Sequence, residues 1–462
     1  MTEDDVAFAG VATLQRLLAA KRLSSLELTD LSLRRLERYG PQYGAVVTLM
    51  PERARGEARR ADRERRAGAV RGPLHGIPYG AKDLLAATGA PTTWGAQPYR
   101  EQRFDEDAAV VGRLRTAGAI LVAKLAMVEL AGGFGYNSAD ASFTGPGRTP
   151  WNRDFWSGGS SSGSGAAVAA GLVPFAIGSE TSGSILFPAA SCGVTGLRPT
   201  YGRVSRSGAM ALCWTLDKLG PMTRGAADAE AVLRAIAGAD PRDAASQDRP
   251  FPLPRRRPRL AVLAGATRKT MPRVKANFER ALRVLAEFCD VDDTVALPPF
   301  PYGPAVEIIV KAEGAAAFRS LIESGRAREL RCADDRTGGY SAYATLAVDY
   351  IDALRRRTQM SQAFAEHFGS YDAVLAPTLP TVAYPVDTPL DSAYPKYPGT
   401  VSLIAPGNLT GVPALSIPNG FGEHGLPTAL SLLGRPWCEA KLTRIGAGFQ
   451  KRTEHHLRRP AL

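Results

Sequence analysis

The chain is poor in the residues that build metal and disulfide sites. It has 5 cysteines and 5 histidines in 462 residues. Cys192, Cys213, Cys289, Cys332 and Cys438 are odd in number, widely separated and without a C-x-x-C spacing, which argues against a disulfide frame and a zinc site. His75, His367, His424, His455 and His456 form no H-E-x-x-H pair, so a metal hydrolase is not indicated and no metal or other cofactor is expected. No uncharged apolar run reaches the roughly 18 residues of a membrane-spanning helix. The start, MTEDDVAFAG, lacks the basic and apolar regions of a secretory signal, so a cytoplasmic location is expected. Lysine is scarce as well: 10 of the 57 basic residues, the rest being arginine.

What is present is the balance of an ordinary globular protein, with 45% hydrophobic and 22% charged residues and a chain long enough for a large core. The net charge of +12 raises the question of nucleic acid or an anionic membrane as partner. The densest basic run, Pro51 to Arg71, interleaves Glu52, Glu57, Asp62 and Glu64 with 8 arginines. Interleaved signs point to an exposed, salt-bridged helix rather than a nucleic-acid arm. Neither nucleic acid nor membrane is expected as a partner.

Ser24-Ser25-Leu26-Glu27 is a capping-box pattern opening a helix, with Gly40 as its expected stop. Ala45 to Met50 looks like a strand, and Pro51 suits the first turn of the basic helix. Strand-like runs recur at Gly76–Ala81, Ala119–Ala123, Pro174–Gly178, Leu260–Leu263 and Ala373–Ala376, with helical stretches between them. The alternation predicts an α/β fold with helices on both faces of a sheet. Asp240 to Pro258, with 5 prolines, reads as a surface connection. No repeat is apparent.

Two glycine-serine loops flank one strand. The first, Ser157 to Gly165, runs into an alanine-rich helical stretch, where backbone N–H groups are free to meet an anion or oxyanion. The second is Gly178-Ser179-Glu180-Thr181-Ser182-Gly183-Ser184-Ile185. Ser160 and Ser184 are 24 residues apart. Alone, each loop reads as a linker or a close-packing turn; the pair around one strand points to a site. Gly159-Ser160-Ser161-Ser162-Gly163 formally matches the G-x-S-x-G nucleophile elbow, but no strand precedes it and no histidine has a distinctive neighbourhood. The phosphate-binding G-x-x-x-x-G-K-[ST] is absent. A serine nucleophile without histidine needs another base, and lysine can serve. Lys82 ends an apolar run. A lysine kept among so many arginines suits a group that must lose its proton, which arginine cannot do.

These residues resemble the amidase signature family. The resemblance rests on Gly158 to Ser164, Gly178 to Ile185, Pro188-Ala189-Ala190 and Cys192 to Val204. Upstream it includes Leu74 to Pro78 with Lys82-Asp83. Downstream it takes in Leu216-Asp217, Gly220-Pro221, Asp240 to Asp243, Ala376-Pro377-Thr378, Asn408 to Pro413, and Gly425-Leu426-Pro427 through Gly434-Arg435-Pro436. It covers nearly the whole chain, and implies one domain over 1–462, with N-terminal helices to 70, a signature core at 71–225, a variable excursion at 240–330 and the rest of the core at 370–462. The implied fold is a large, mixed, twisted sheet covered by helices on both faces. The implied chemistry is a Ser–cis-Ser–Lys triad: Ser184 as nucleophile, Ser160 as the bridging serine in a cis peptide, Lys82 as base. The N–H groups of Thr181, Ser182, Gly183 and Ser184 would form the oxyanion hole.

Two departures bear on substrate. Ser182 stands where the family usually has glycine. Leu186 and Phe187 stand where many members carry an arginine that pairs with an acidic substrate. A neutral, apolar or aromatic amide, carbamate or ester is the natural inference, including aryl-amide and urethane cleavage; the alternative is that Leu186 and Phe187 simply pack in the core and a carboxylate is bound elsewhere. Phe187 is expected at the substrate, with Met210 and Trp214 on the far wall. Two alternatives stand beside this reading: a component of the amidotransferase that makes glutamine on transfer RNA, and a non-catalytic binding protein that kept the fold. A monomer or homodimer is expected.

Overall fold

The computed structural model describes residues 1–252 and 256–462; within the expected connection from Asp240 to Pro258, residues 253–255 lie outside the described residues. The strands are β1 (Val46–Leu49), β2 (Pro78–Lys82), β3 (Ile120–Leu125), β4 (Phe175–Glu180), β5 (Thr195–Arg198), β6 (Lys218–Thr223), β7 (Arg259–Leu263), β8 (Asp290–Val295), β9 (Ala373–Pro377), β10 (Ala414–Phe421) and β11 (Pro427–Gly434). They form one 11-stranded sheet in the order β1-β3-β2-β4-β6-β5-β10-β11-β9-β7-β8. The sheet is mixed. β2 pairs in parallel with β3 and β4, and β7 with β8 and β9, while β4–β6, β6–β5, β5–β10, β10–β11 and β11–β9 are antiparallel.

Both faces are covered, as side-chain alternation requires of buried strands. One face turns Tyr79, Leu121, Phe175 and Ile177 toward a core that includes Leu14, Val110, Leu114, Val232 and Leu233. Tyr79 and Phe175 stack there with ring centres 5.2 Å apart. The other face sends Ile120, Val122, Leu125 and Ala176 toward Leu33, Leu36, Ala54, Ala58 and Ala166–Ala170. Small side chains on that second set allow helix and sheet backbones to approach closely.

The capping box forms as expected: Glu27 N–H donates to Ser24 Oγ at 3.1 Å, and Ser24 N–H to Glu27 Oε2 at 2.7 Å, opening the helix Ser25–Tyr39. Gly40 follows Tyr39 as its stop, as expected. It keeps right-handed dihedrals, φ −52°, and the chain tightens into a 3₁₀ turn over Gly40–Tyr43. The left-handed residue is Gly44, φ 54°, where a Cβ would lie 2.6 Å from the Pro146 carbonyl oxygen. The basic helix Pro51–Arg66 buries Ala54, Ala58 and Ala61. Its charges pair within the protein: Arg53 with Glu57 and Asp107, and Arg60 with Glu64, each at 2.9 Å. All 5 cysteines are buried and free. Among the described residues, no helix is long and apolar enough to cross a membrane.

Candidate active site

β2 and β4 run side by side in parallel, with Ala81 opposite Ile177, so Lys82 emerges next to the end of β4. The first serine loop reaches the same spot. Gly158 has φ 78°, and a Cβ on Gly159 would lie 2.6 Å from the Trp156 ring; both positions call for glycine. The Gly159–Ser160 peptide is cis. The chain then enters the helix Ser162–Ala169.

Lys82 is fully buried. Its ammonium donates to Ser160 Oγ at 2.6 Å and to Ser179 Oγ at 2.8 Å. Burial lowers its pKa to about 7, against the opposing pull of Asp217 and Glu180. A buried ammonium without a salt bridge sheds its proton near neutrality, and the neutral amine is a base. Sequence reasoning does not single out Ser179. The signal is there: it lies on the strand adjacent to Lys82, at the end where that lysine projects.

Ser184 lies on the second loop, nearly buried. Among the described residues its hydroxyl makes no hydrogen bond, and the backbone N–H groups of Thr181, Ser182, Gly183 and Ser184 donate to no protein group. Gly183 takes φ 93°. The loop is tied at its ends. Its carbonyl at Ser184 accepts from Ser161 N–H at 3.3 Å. The Thr181 hydroxyl donates to Asp217 at 2.5 Å, and that carboxylate also accepts the N–H groups of Leu212 and Cys213 at 2.9 Å. Glu180 holds the other end. It accepts the N–H groups of Ile185 at 2.9 Å and Leu186 at 3.0 Å, and the side chains of Arg198 at 2.9 Å and Asn408 at 2.8 Å. Burial pushes the Glu180 carboxyl up, but Arg198, Lys218 and these donors outweigh it and hold it below the usual range.

Ser161, the serine of the formal elbow motif, is fully buried and engaged with the backbone of Ser179: its hydroxyl donates to the carbonyl at 3.2 Å and accepts the N–H at 3.3 Å. It is therefore a brace between the two loops, and no histidine bonds to it among the described residues. Ser164 donates to the Ile177 carbonyl at 3.3 Å in the same supporting way.

A cavity of about 300 Å³ opens beside these groups. Ser179, Thr181 and Asp217 form its polar floor, and Leu84, Leu212 and Leu219 line it. Met210 and Trp214 line it too, with Trp214 half exposed at 50%. Arg206 reaches the cavity but is held on Asp243 at 2.9 Å. The expectation for positions 186 and 187 meets a different outcome. Leu186 opens the helix Leu186–Cys192 and is buried in a core with Ala414 and Leu433. Phe187 stands outside the cavity, edge-on to Trp156 at 5.2 Å and Tyr384 at 5.7 Å. A helix starting at 186 rotates these side chains away, which linear spacing does not reveal. Ser182 is exposed, and its extra hydroxyl makes no hydrogen bond among the described residues.

One flanking segment is strained. Leu130 and Ala131 have φ 50° and 56°, a left-handed conformation that costs about 1–2 kcal/mol per L residue. Just before them, Val128 N–H donates to the Ser160 carbonyl at 3.1 Å, and Ala131 lines the cavity.

Comparison with known proteins points to one family. The Amidase family model matches residues 27–443. The chain is 38% identical to the A-type subunit of the glutamyl-tRNA(Gln) amidotransferase of Chloroflexus aggregans, over 96% of each chain. Among solved structures, the native peptide amidase of Stenotrophomonas maltophilia superposes with a TM-score of 0.86 at 33% identity, over 98% of each chain. The A-type subunit of the Thermotoga maritima glutamyl-tRNA(Gln) amidotransferase superposes with a TM-score of 0.80 at 28% identity, over 99% of each chain. The fold, the paired serine loops around a buried lysine and these likenesses together place the chain in the amidase signature family, hydrolases that act on C–N bonds.

Proposed function

We propose that the chain hydrolyses small linear amides through Ser184, Ser160 and Lys82. The observation that carries this reading is the 2.6 Å contact between the Lys82 amine, poised to be neutral near pH 7, and the Ser160 hydroxyl. Ser184 Oγ attacks the substrate carbonyl. Its proton passes to Ser160 as Ser160 passes its own to Lys82. The tetrahedral oxyanion is met by the free N–H groups of the Thr181–Ser184 loop, donors worth about 3–4 kcal/mol each in a transition state. Collapse expels the amine, which takes the proton back through the same relay. Water then attacks the acyl-enzyme by the reverse path and releases the acid.

For the substrate, the apolar wall of Leu84, Met210, Leu212, Trp214 and Leu219 supports a neutral amide with an aromatic or alkyl group. Carbamates and esters fall to the same chemistry. A second reading, glutamine as substrate in an assembly that makes glutamine on transfer RNA, is favoured by the name of the relative at 38% identity. That name weighs more than the apolar wall alone, because the neutral reading also leaned on Leu186, which is in the core. Steady-state rates on a panel of anilides, alkyl amides, carbamates, esters and glutamine decide between them. Glutamine preferred tenfold or more over every neutral substrate establishes the second reading; the reverse establishes the first. No turnover of any of them, with Ser184 unlabelled by a fluorophosphonate, overturns both.

A further inference from the structure

The helix Ala333–Ala342 lies against the strained segment that flanks the serine loops. A Cβ on Gly338 would collide with the Phe134 carbonyl oxygen, so the two backbones are close. Between them sit two buried carboxyl groups, Asp335 at 1% exposure and Glu129 at 0%. Glu129 accepts the N–H groups of Arg331 at 2.9 Å and Cys332 at 2.8 Å, capping the approach to the helix. Asp335 is the third residue of the helix whose N-cap N–H, that of Cys332, Glu129 accepts, so the two carboxyl groups share the same buried helix start, and neither oxygen of Asp335 meets a donor. Two carboxylates in that position repel, whereas a carboxyl and a carboxylate sharing one proton form a strong hydrogen bond.

The charged surroundings do not supply a cation. Arg331 is turned out to Asp140 at 2.7 Å. Arg336 donates to the carbonyls of Leu330 at 2.8 Å and Arg331 at 3.3 Å. Asp334 adds a further negative charge, and the half-buried Tyr136 and the buried Cys332 nearby are both pushed toward their neutral forms by burial first and by Asp335 second. Among the described residues no basic group pairs with Asp335 or Glu129.

We propose that Asp335 is a positioning residue for the reaction: one proton held between its carboxyl and that of Glu129 fastens the helix to the segment 128–134, and loss of that proton at alkaline pH loosens it. The segment provides the N–H that holds the Ser160 carbonyl and, at Ala131, part of the cavity wall. The inference rests on the reading of Ser160, Ser184 and Lys82 as the reacting groups. It gives the enzyme an alkaline limb that the triad alone does not require. Burial, and then Glu129, raise the Asp335 pKa from 3.8 to about 9. The folded state therefore keeps a proton that the unfolded chain releases. The stability from this group is full below pH 3.8 and is lost progressively as pH rises to about 9.

The test follows kcat/KM against pH for the full-length enzyme, together with thermal melts across the same range. The wild type is expected to fall about tenfold from its maximum one pH unit above the Asp335 titration. Asp335→Asn, whose amide donates permanently to Glu129, is expected to keep the rising limb, lose the falling one and show a flatter dependence of Tm on pH. A falling limb identical in wild type and Asp335→Asn overturns the proposal, as does a wild type with no falling limb. The melts do not depend on catalysis: a flattened Tm profile with no change in the rate profile confirms the shared proton and overturns its positioning role. If Asp335→Asn does not fold, the infrared carbonyl band of a protonated carboxyl is followed in the wild type. Its persistence at neutral pH and disappearance alongside activity support the proposal, and its absence at neutral pH overturns it.

Discussion

Glu180 and Asn408 are 228 positions apart in the chain, yet the asparagine amide donates to the carboxylate at 2.8 Å. The same carboxylate holds Arg198, and both partners of that ion pair are fully buried. Glu180 thus ties β5 and the helix Ile404–Leu409 to the loop that carries Ser184.

Removing one partner of this pair should be costly. Arg198→Met leaves a buried carboxylate without its cation, and a loss of about 3–5 kcal/mol is expected in urea unfolding. The double variant Glu180→Gln/Arg198→Met should recover part of it. A loss below about 1 kcal/mol in the single variant would mean that water or a rearrangement replaces the arginine.

Ser184→Ala should lower kcat by roughly 10⁴-fold or more while leaving the circular dichroism melt in place. The wild type, and not the variant, should take a fluorophosphonate label. Activity within tenfold of wild type would assign the nucleophile elsewhere.

Lys82 sets the acid limb. With its pKa lowered to about 7, chiefly by burial, kcat/KM should drop about tenfold per pH unit below that value. Lys82→Arg cannot present a neutral base and should be inactive at every pH. The stability effect has the opposite sign to that of Asp335. Lys82 favours the deprotonated form when folded, so its contribution rises with pH between about 7 and 10.5. Lys82→Met should flatten that rise in a Tm profile; an unchanged slope would place the charged form in the native protein.

Trp214→Ala and Met210→Ala should raise KM for an anilide with kcat within about twofold, the pattern of lost ground-state contact. Because Trp214 is half exposed, the expected loss is about 1 kcal/mol, or roughly fivefold. Unchanged KM in both variants would move the substrate to the Phe187 side of the loop.

The parts legible in the sequence are those with local causes. Ser24 and Glu27, three residues apart, cap a helix by themselves, and the apolar runs at 76–81, 119–123, 174–178, 260–263 and 373–376 become β2, β3, β4, β7 and β9. β5, β6, β8, β10 and β11 do not stand out in the same way. β6 and β10 carry Pro221 and Pro418, which read as strand breakers because proline has no N–H to donate. In β6 the paired β5 reaches only Thr223 and Met222, so Pro221 is spared a donor on that side. A glycine at 220 is required because a Cβ there would run into the Leu197 carbonyl. At the site, Lys82, Ser160 and Ser184 are legible through two short glycine loops. The Glu129–Asp335 pair is not, since nothing local marks two acids that meet only when a distant helix packs.

The strand order also has a consequence for how the chain is made. β5, formed by residue 198, has β6 on one side and waits on the other for β10, with Arg198 opposite Ala414. A ribosome must therefore add more than 200 further residues, the interval between these partners in the sequence, before that open edge is closed. Until then the nascent chain displays a strand edge with unpaired N–H and C=O groups, a template for wrong pairing. Asn408 and the segment beyond it arrive at the same late moment. The loop that bears Ser184 is thus completed only once the chain beyond residue 408 has emerged, and products that terminate earlier will carry the glycine-serine loops without Asn408 to hold Glu180.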